Sequence, residues 1–243
     1  MERQADAPSG HDRLRFFKRI GLEDGWPGTR TKLRPADAAR FDGGDIASAF
    51  ARALCERGAL PVKELFEATE TFALSRKVLR GPVVADLCCG HGLAGAFFAL
   101  MEREVEQVIL VDRERPPNAD LVIDALDAVA PWASPKLQWR ESRLDRQTLP
   151  SGAAILAVHA CGLRTDAAIE HAIATGGPFA ALPCCRPHRQ HPAPQSLKNA
   201  LGHDVAIDVH RTYRLEENGY VVAWRDISPI ITPKNRALIA RRA

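Results

Sequence analysis

Residues 81–95, GPVVADLCCGHGLAG, decide the reading of this chain. A short β-branched run, Val83-Val84, leads to an acid, Asp86, and then breaks into a loop holding Gly90, Gly92 and Gly95. The run behind it, Leu93 to Met101, is apolar and rich in helix formers. Strand, glycine turn and helix in that order cradle an adenosine-type ligand against the carboxyl edge of a parallel sheet. Glycine serves such a turn because a Cβ would collide with a ligand that lies against the backbone. Gly90-His91-Gly92-Leu93-Ala94-Gly95 also fits the dinucleotide pattern GxGxxG, so the ligand has to be chosen on other grounds.

Asp86 makes the choice. A pyrophosphate is welcomed by a helix N-terminus and repelled by a neighbouring carboxylate. S-adenosylmethionine has no phosphate and carries an amino group and a sulfonium, both positive. A second acid follows one strand later: Gln107-Val-Ile-Leu-Val-Asp112 reads as a strand ending in a carboxylate placed to accept both ribose hydroxyls. The expected cofactor is therefore S-adenosyl-L-methionine, with Asp86, Cys88, Gly90, Gly92 and Asp112 as its contacts.

Outward from this centre, the pattern is α/β. Helical spacing covers Asp45 to Leu60, ended by Gly58 and Pro61, and Pro61 opens a second helix with an apolar face of Leu65, Phe66, Thr69, Phe72 and Ala73. Beyond Asp112 the expected order is a turn over 113–118, a helix over 119–130 and a strand over 136–140. A buried strand over 153–158 and a helix over 165–174 follow, with Thr165 as N-cap and Asp166 in its first turn. Next come a strand over 179–182, a helix over 205–218 and two closing strands, 220–227 and 236–241. The implied fold is a doubly wound, Rossmann-like sheet of seven strands, mostly parallel with one antiparallel edge strand. We divide the chain into a basic, partly disordered arm (1–40), a helical extension (41–80) and a cofactor-binding domain (81–243).

Composition is that of a soluble globular chain, with 46% apolar and 26% charged residues. No stretch approaches ~18 uninterrupted apolar residues, and the N-terminus has no signal-peptide core, so a cytoplasmic location is expected. The net charge of +3 hides a division. Residues 1–40 hold nine Lys/Arg against six Asp/Glu, residues 41–185 hold fourteen against nineteen, and residues 186–243 hold ten against five. Basic ends flanking an acidic middle suggest RNA as a partner, against the plainer reading of solvated faces.

Three strands end in unusual chemistry: Cys88-Cys89-Gly90-His91, His159-Ala160-Cys161-Gly162 and Pro183-Cys184-Cys185-Arg186. Ligands of a doubly wound sheet sit outside these strand ends. Thiolates and imidazoles suit zinc, but no spacing is CxxC and adjacent cysteines seldom both reach one ion, so no metal is expected. Thiol redox chemistry is a further alternative. The preferred reading is a polar pocket floor on which His159 and His91 move protons. Adjacent cysteines are also poor disulfide partners, and the six cysteines are expected to be reduced.

His159-Ala-Cys-Gly-Leu-Arg-Thr-Asp166, Pro183-Cys-Cys185 and Thr232-Pro-Lys-Asn235 occur here in the order seen in one methyltransferase group. Over residues 62–243 the chain resembles the methyltransferase domain of glutathione S-transferase C-terminal domain-containing proteins. It is more distantly similar to the tRNA ribose 2′-O-methyltransferases of the acceptor stem, although it lacks their zinc-finger segment. The resemblance implies a class I methyltransferase fold, puts His159, Cys161 and Asp166 at the acceptor-side motif, and leaves Pro183, Cys184, Cys185 and Arg186 on the substrate side. A non-catalytic module that keeps this fold and an NAD-dependent oxidoreductase are the alternatives, since no DPPY-type tetrad is recognisable.

Overall fold

The computed structural model describes residues 13–186 and 191–243. Seven strands form one sheet: β1 (Val83–Leu87), β2 (Gln107–Asp112), β3 (Leu137–Glu141), β4 (Ala154–Val158), β5 (Phe179–Leu182), β6 (Tyr220–Asp226) and β7 (Arg236–Arg242). Their order is β3-β2-β1-β4-β5-β7-β6. Every pairing from β3 to β5 is parallel, whereas β7 runs antiparallel to both β5 and β6. The one reversed strand thus lies a place in from the edge, with β6 outermost. The sheet reverses its winding between β1 and β4, and the ligand crevice of a doubly wound sheet opens there.

The helices are α1 (Ile46–Arg57), α2 (Val62–Leu79), α3 (Leu93–Met101), α4 (Asn118–Val129), α5 (Arg164–Thr175), α6 (Gln195–Leu201) and α7 (His203–Glu216). Asp45 caps α1 by accepting from the Ser48 N–H at 2.9 Å, and Gly58 ends it in the left-handed region at φ 55°. The expected cap of α5 is corrected. The N-cap is Leu163, and Thr165, inside the first turn, donates its hydroxyl to the Ala160 carbonyl at 2.5 Å. The short helix α6 was not foreseen.

Side-chain alternation along the strands builds two cores. Val84, Val108, Leu110, Ala154 and Leu156 face one, packed beneath α1–α4. Ala85, Leu87, Ile109, Val111, Ile155 and Ala157 face the other, which includes Ile169 of α5 and Leu215 of α7. Strands buried on both faces need continuous apolar runs, which is how β1, β2 and β4 read. Gly95 sits where α3 crosses the sheet, and a Cβ there would lie 2.6 Å from Leu110 Cδ2.

The described part of the arm, from residue 13, packs on α2 and α3. Phe16 meets Phe97 edge-on at 5.5 Å, and Trp26 meets Phe66 at 5.4 Å. The buried carboxylate of Glu70 accepts the backbone N–H groups of Arg15 and Phe16 at 2.8 and 3.0 Å. Residues 1–12 of the expected disordered arm lie outside the described residues. No helix among the described residues is long and apolar enough to cross a membrane.

Candidate functional site

The site lies at the carboxyl ends of β1, β2 and β4, where two adjoining cavities of about 320 and 510 Å³ share Cys88, Asp112 and Arg164. The two non-glycine residues with positive φ among those described are Cys88 (57°), just after β1, and His159 (63°), just after β4. Side chains seldom tolerate this conformation, and such strain gathers at functional turns.

Asp86 is buried in the floor of the smaller cavity. Its Oδ2 accepts the Gly95 N–H at 2.9 Å, while Oδ1 has no hydrogen-bond partner. Burial drives this carboxyl up to about 7, the Gly95 N–H opposing and the Asp112 charge adding. Asp112 is half-buried at the end of β2. Its Oδ2 accepts the Gly90 N–H at 2.9 Å and its Oδ1 the Arg113 N–H at 2.7 Å. Gly90 has φ 54°, and a Cβ there would meet no protein atom within 4 Å. The glycine is therefore demanded by backbone conformation, and the space beside it is left for a ligand.

Helix α2 contributes two acids that sequence reasoning passed over. His91 Nε2 lies 2.7 Å from Glu64 Oε2, and His159 Nε2 lies 2.8 Å from Glu67 Oε2. A carboxylate can only accept, so in each pair the imidazole donates from Nε2. His91 is also engaged at Nδ1, which accepts the Leu93 N–H at 3.3 Å. Both nitrogens of His91 are thus engaged, Nε2 on α2 and Nδ1 within the glycine turn. Burial raises the Glu67 carboxyl, but its contacts with His159 and Lys63 outweigh that and hold it below the usual range. Glu64, Asp86 and Asp112 together make an acidic cavity wall. Such a wall suits a cationic ligand and repels a pyrophosphate.

Asp166 and Arg186 have other partners than the sequence implied. Asp166 accepts from Arg211 at 2.8 and 3.1 Å and pairs with His191 at 3.1 Å. It lines a further cavity of about 390 Å³ bordered by α5 and α7, which shares Leu163 and Ala167 with the larger cavity of the site. Arg186 is only 5% exposed and ion-pairs at 2.5 Å with Asp208, which is fully buried and also holds Arg211 and Arg236. An arginine so enclosed belongs to the fold and cannot reach a substrate. His188 and Arg189, which follow Arg186 in the sequence, lie outside the described residues.

The three cysteine-bearing ends converge because β1, β4 and β5 are neighbours. Cys161 Sγ lies 2.7 Å from Cys184 Sγ, and these two sulfurs and that of Cys185 all fall within 4.8 Å of one another. Adjacent cysteines seldom both reach one ion, yet the turn after β5 brings both Cys184 and Cys185 near Cys161. Pro183 is buried at the start of that turn.

No protein-family profile matches the chain, and no curated protein is a significant match. Among solved structures, the methyltransferase domain of bacterial CtHen1-C is similar with a TM-score of 0.52 and 15% identity, over 74% of this chain and 99% of that one. The Methanococcus jannaschii fibrillarin pre-rRNA processing protein has a TM-score of 0.48 and 13% identity, over 68% of each chain. The 16S rRNA methyltransferase KamB has 0.44 and 15%, over 68% of this chain and 88% of that one. Strand order and likeness to the first of these define the fold as that of the class I methyltransferases.

Proposed function

We propose that this chain is an S-adenosylmethionine-dependent methyltransferase acting on RNA. The observation that carries the reading is the buried Asp86 carboxylate, with one oxygen unpartnered, in an acidic cavity beside the Gly90 turn. Asp112 would accept the ribose hydroxyls, and Asp86 and Glu64 would face the amino group. Arg113, Leu144 and Asp145, on the wall of the larger cavity, would surround the base. When bound, the cofactor supplies a methyl carbon already activated by its sulfonium.

The chain's own task is then to align an acceptor atom and remove its proton. His159 takes that proton at Nδ1, while Nε2 stays on Glu67, whose charge stabilises the imidazolium. Glu67 is a positioning residue, since it acts through the imidazole. Cys161 stands on the wall of the larger cavity, and we assign Pro183, Cys184 and Cys185, in the turn whose thiols meet Cys161, to the acceptor side. In the proposed division into arm 1–40, extension 41–80 and donor domain 81–243, the described part of the arm, from residue 13, packs on the extension, and the extension supplies Glu64 and Glu67.

RNA is favoured as acceptor by the basic ends and by three exposed arginines, Arg113, Arg143 and Arg164, at the larger cavity. The resemblance carried by the motifs HACGLRTD and PCC supports a tRNA ribose hydroxyl as the particular acceptor, and we place the reaction in the cytoplasm. Incubation of the purified chain with total RNA and labelled methyl donor tests this. Label appearing in RNA, and lost with His159→Ala, is the expected result; label appearing only in protein or small molecules would overturn the acceptor.

A further inference from the structure

We infer that Cys161, Cys184 and Cys185 form a binding site for a thiophilic divalent cation, zinc being the best match. The three sulfurs lie within 4.8 Å of one another. Tetrahedral zinc holds each thiolate at about 2.3 Å, which sets its sulfurs roughly 3.8 Å apart. To close on one ion, the Cys161 and Cys184 sulfurs, 2.7 Å apart, must open by about 1.1 Å, and the Cys185 sulfur, within 4.8 Å of both, must shift by about 1 Å at most.

The site is built on two adjacent strand ends. Cys161 follows β4 and the Cys184-Cys185 pair follows β5. The His159 N–H donates to Leu182 O at 3.1 Å and the Gly162 N–H to Cys185 O at 2.9 Å, so the two turns are laced together on either side of the sulfurs. Left-handed backbone at His159 (63°) and Gly162 (67°) bends the first turn toward the second. The arrangement uses all three thiols. A disulfide would use two and leave the third without a role.

Binding is balanced as follows. Three thiols lose their protons to solvent, three S–metal bonds form, and no electron is transferred. The resulting site carries one net negative charge, and Arg164 shares the wall of the larger cavity with Cys161 and Cys88 to offset it. Three ligands from the described residues leave a tetrahedral ion one further position, the pattern of zinc sites that take up a water or substrate atom. Because Cys161 also lines that cavity, the ion would stand at the border of the space assigned to the methyl donor, able to polarise a hydroxyl or thiol brought there.

The test is zinc loading of the full chain, removal of free metal by gel filtration, and elemental analysis. One equivalent is expected. Cys161→Ser, Cys184→Ser and Cys185→Ser should each lower it at least tenfold, and Cys55→Ala, far from the cluster, should leave it unchanged. Should a serine variant fail to fold, alkylation of the unaltered protein decides: zinc should protect these three cysteines, mapped by peptide mass, and a chelator should restore their labelling. Protein that retains no zinc, equal labelling with and without zinc, or a Cys161–Cys184 disulfide in protein that takes up no metal would overturn the proposal. Cofactor binding, measured separately, does not enter this outcome.

Discussion

His159 Nε2, at the end of β4, lies 2.8 Å from Glu67 Oε2, in the body of α2. The pair joins the helical extension to the end of β4, where we propose that an acceptor is handled. Its partners are unequal, since Glu67 is 1% exposed at its side chain and His159 30%. The carboxylate orients and the imidazole reaches out.

This relationship makes a graded prediction. Proton removal by a positioned base contributes about 10²–10⁴-fold, so His159→Ala should slow methyl transfer by at least 10²-fold. Glu67→Gln, which keeps shape but removes charge, should cost less. Single-turnover transfer and calorimetry with S-adenosylhomocysteine separate the two steps: rates should fall while donor affinity stays within twofold. Equal rates in both variants and the unaltered protein would remove the dyad from the reaction.

Asp112→Ala should weaken S-adenosylhomocysteine binding by about 1.5–3 kcal/mol, the range for hydrogen bonds to a charged group. The same change frees the Gly90 N–H, so the glycine turn should exchange its amide hydrogens faster. The ligand-free melting midpoint should shift little, because the carboxylate stands at the cavity rim. Unchanged affinity by calorimetry would exclude Asp112 from the site.

Asp86 gives a pH dependence of defined sign. Burial raises its carboxyl to about 7, above the 3.8 of a free aspartate, so the folded state holds the proton more tightly than the unfolded chain. Its contribution to stability is full below about pH 4 and is lost as pH rises toward 7, on the order of 4 kcal/mol over that window. Denaturant unfolding at pH 4, 5.5 and 7.5 should show Asp86→Asn gaining on the unaltered protein as pH rises. Parallel stability curves would contradict the assignment. A cationic donor favours the ionised form, so its affinity should increase through this same range.

Two substitutions test the frame around the site. At Gly95→Ala the new methyl would meet Leu110 Cδ2 at 2.6 Å and Val108 Cγ1 at 2.9 Å, and such overpacking costs about 1–3 kcal/mol. Asp208→Ala strips Arg186, Arg211 and Arg236 of a shared buried partner, and a broken buried ion pair costs about 3–5 kcal/mol. Urea denaturation gives both values. A loss below 0.5 kcal/mol at Asp208→Ala would mean that water reaches the cluster and satisfies the arginines.

The half of the site that we assign to the donor is local in the sequence. Asp86, Gly90 and Gly92 lie within one strand–turn–helix, and Asp112 ends the next apolar run, so periodicity alone aligns them. The acceptor half depends on pairings distant in the chain. Glu64 and Glu67 read as the polar side of an amphipathic helix, and only the packing of α2 against β4 and β5 turns them inward. Arg186 and Asp166 read as free functional groups because their partners, Asp208 and Arg211, lie on α7, whose register against β5 no local pattern reveals. The cysteines were seen as a group, but spacing could not show how sharply the chain turns after Leu182.

The central claim, a donor site for S-adenosylmethionine, is tested most directly by isothermal titration of the purified chain with S-adenosylhomocysteine and, in parallel, with NAD. The account predicts one saturable site for S-adenosylhomocysteine, weakened at least tenfold by Asp112→Ala, and no measurable heat with NAD. Binding of NAD with no binding of S-adenosylhomocysteine would contradict it.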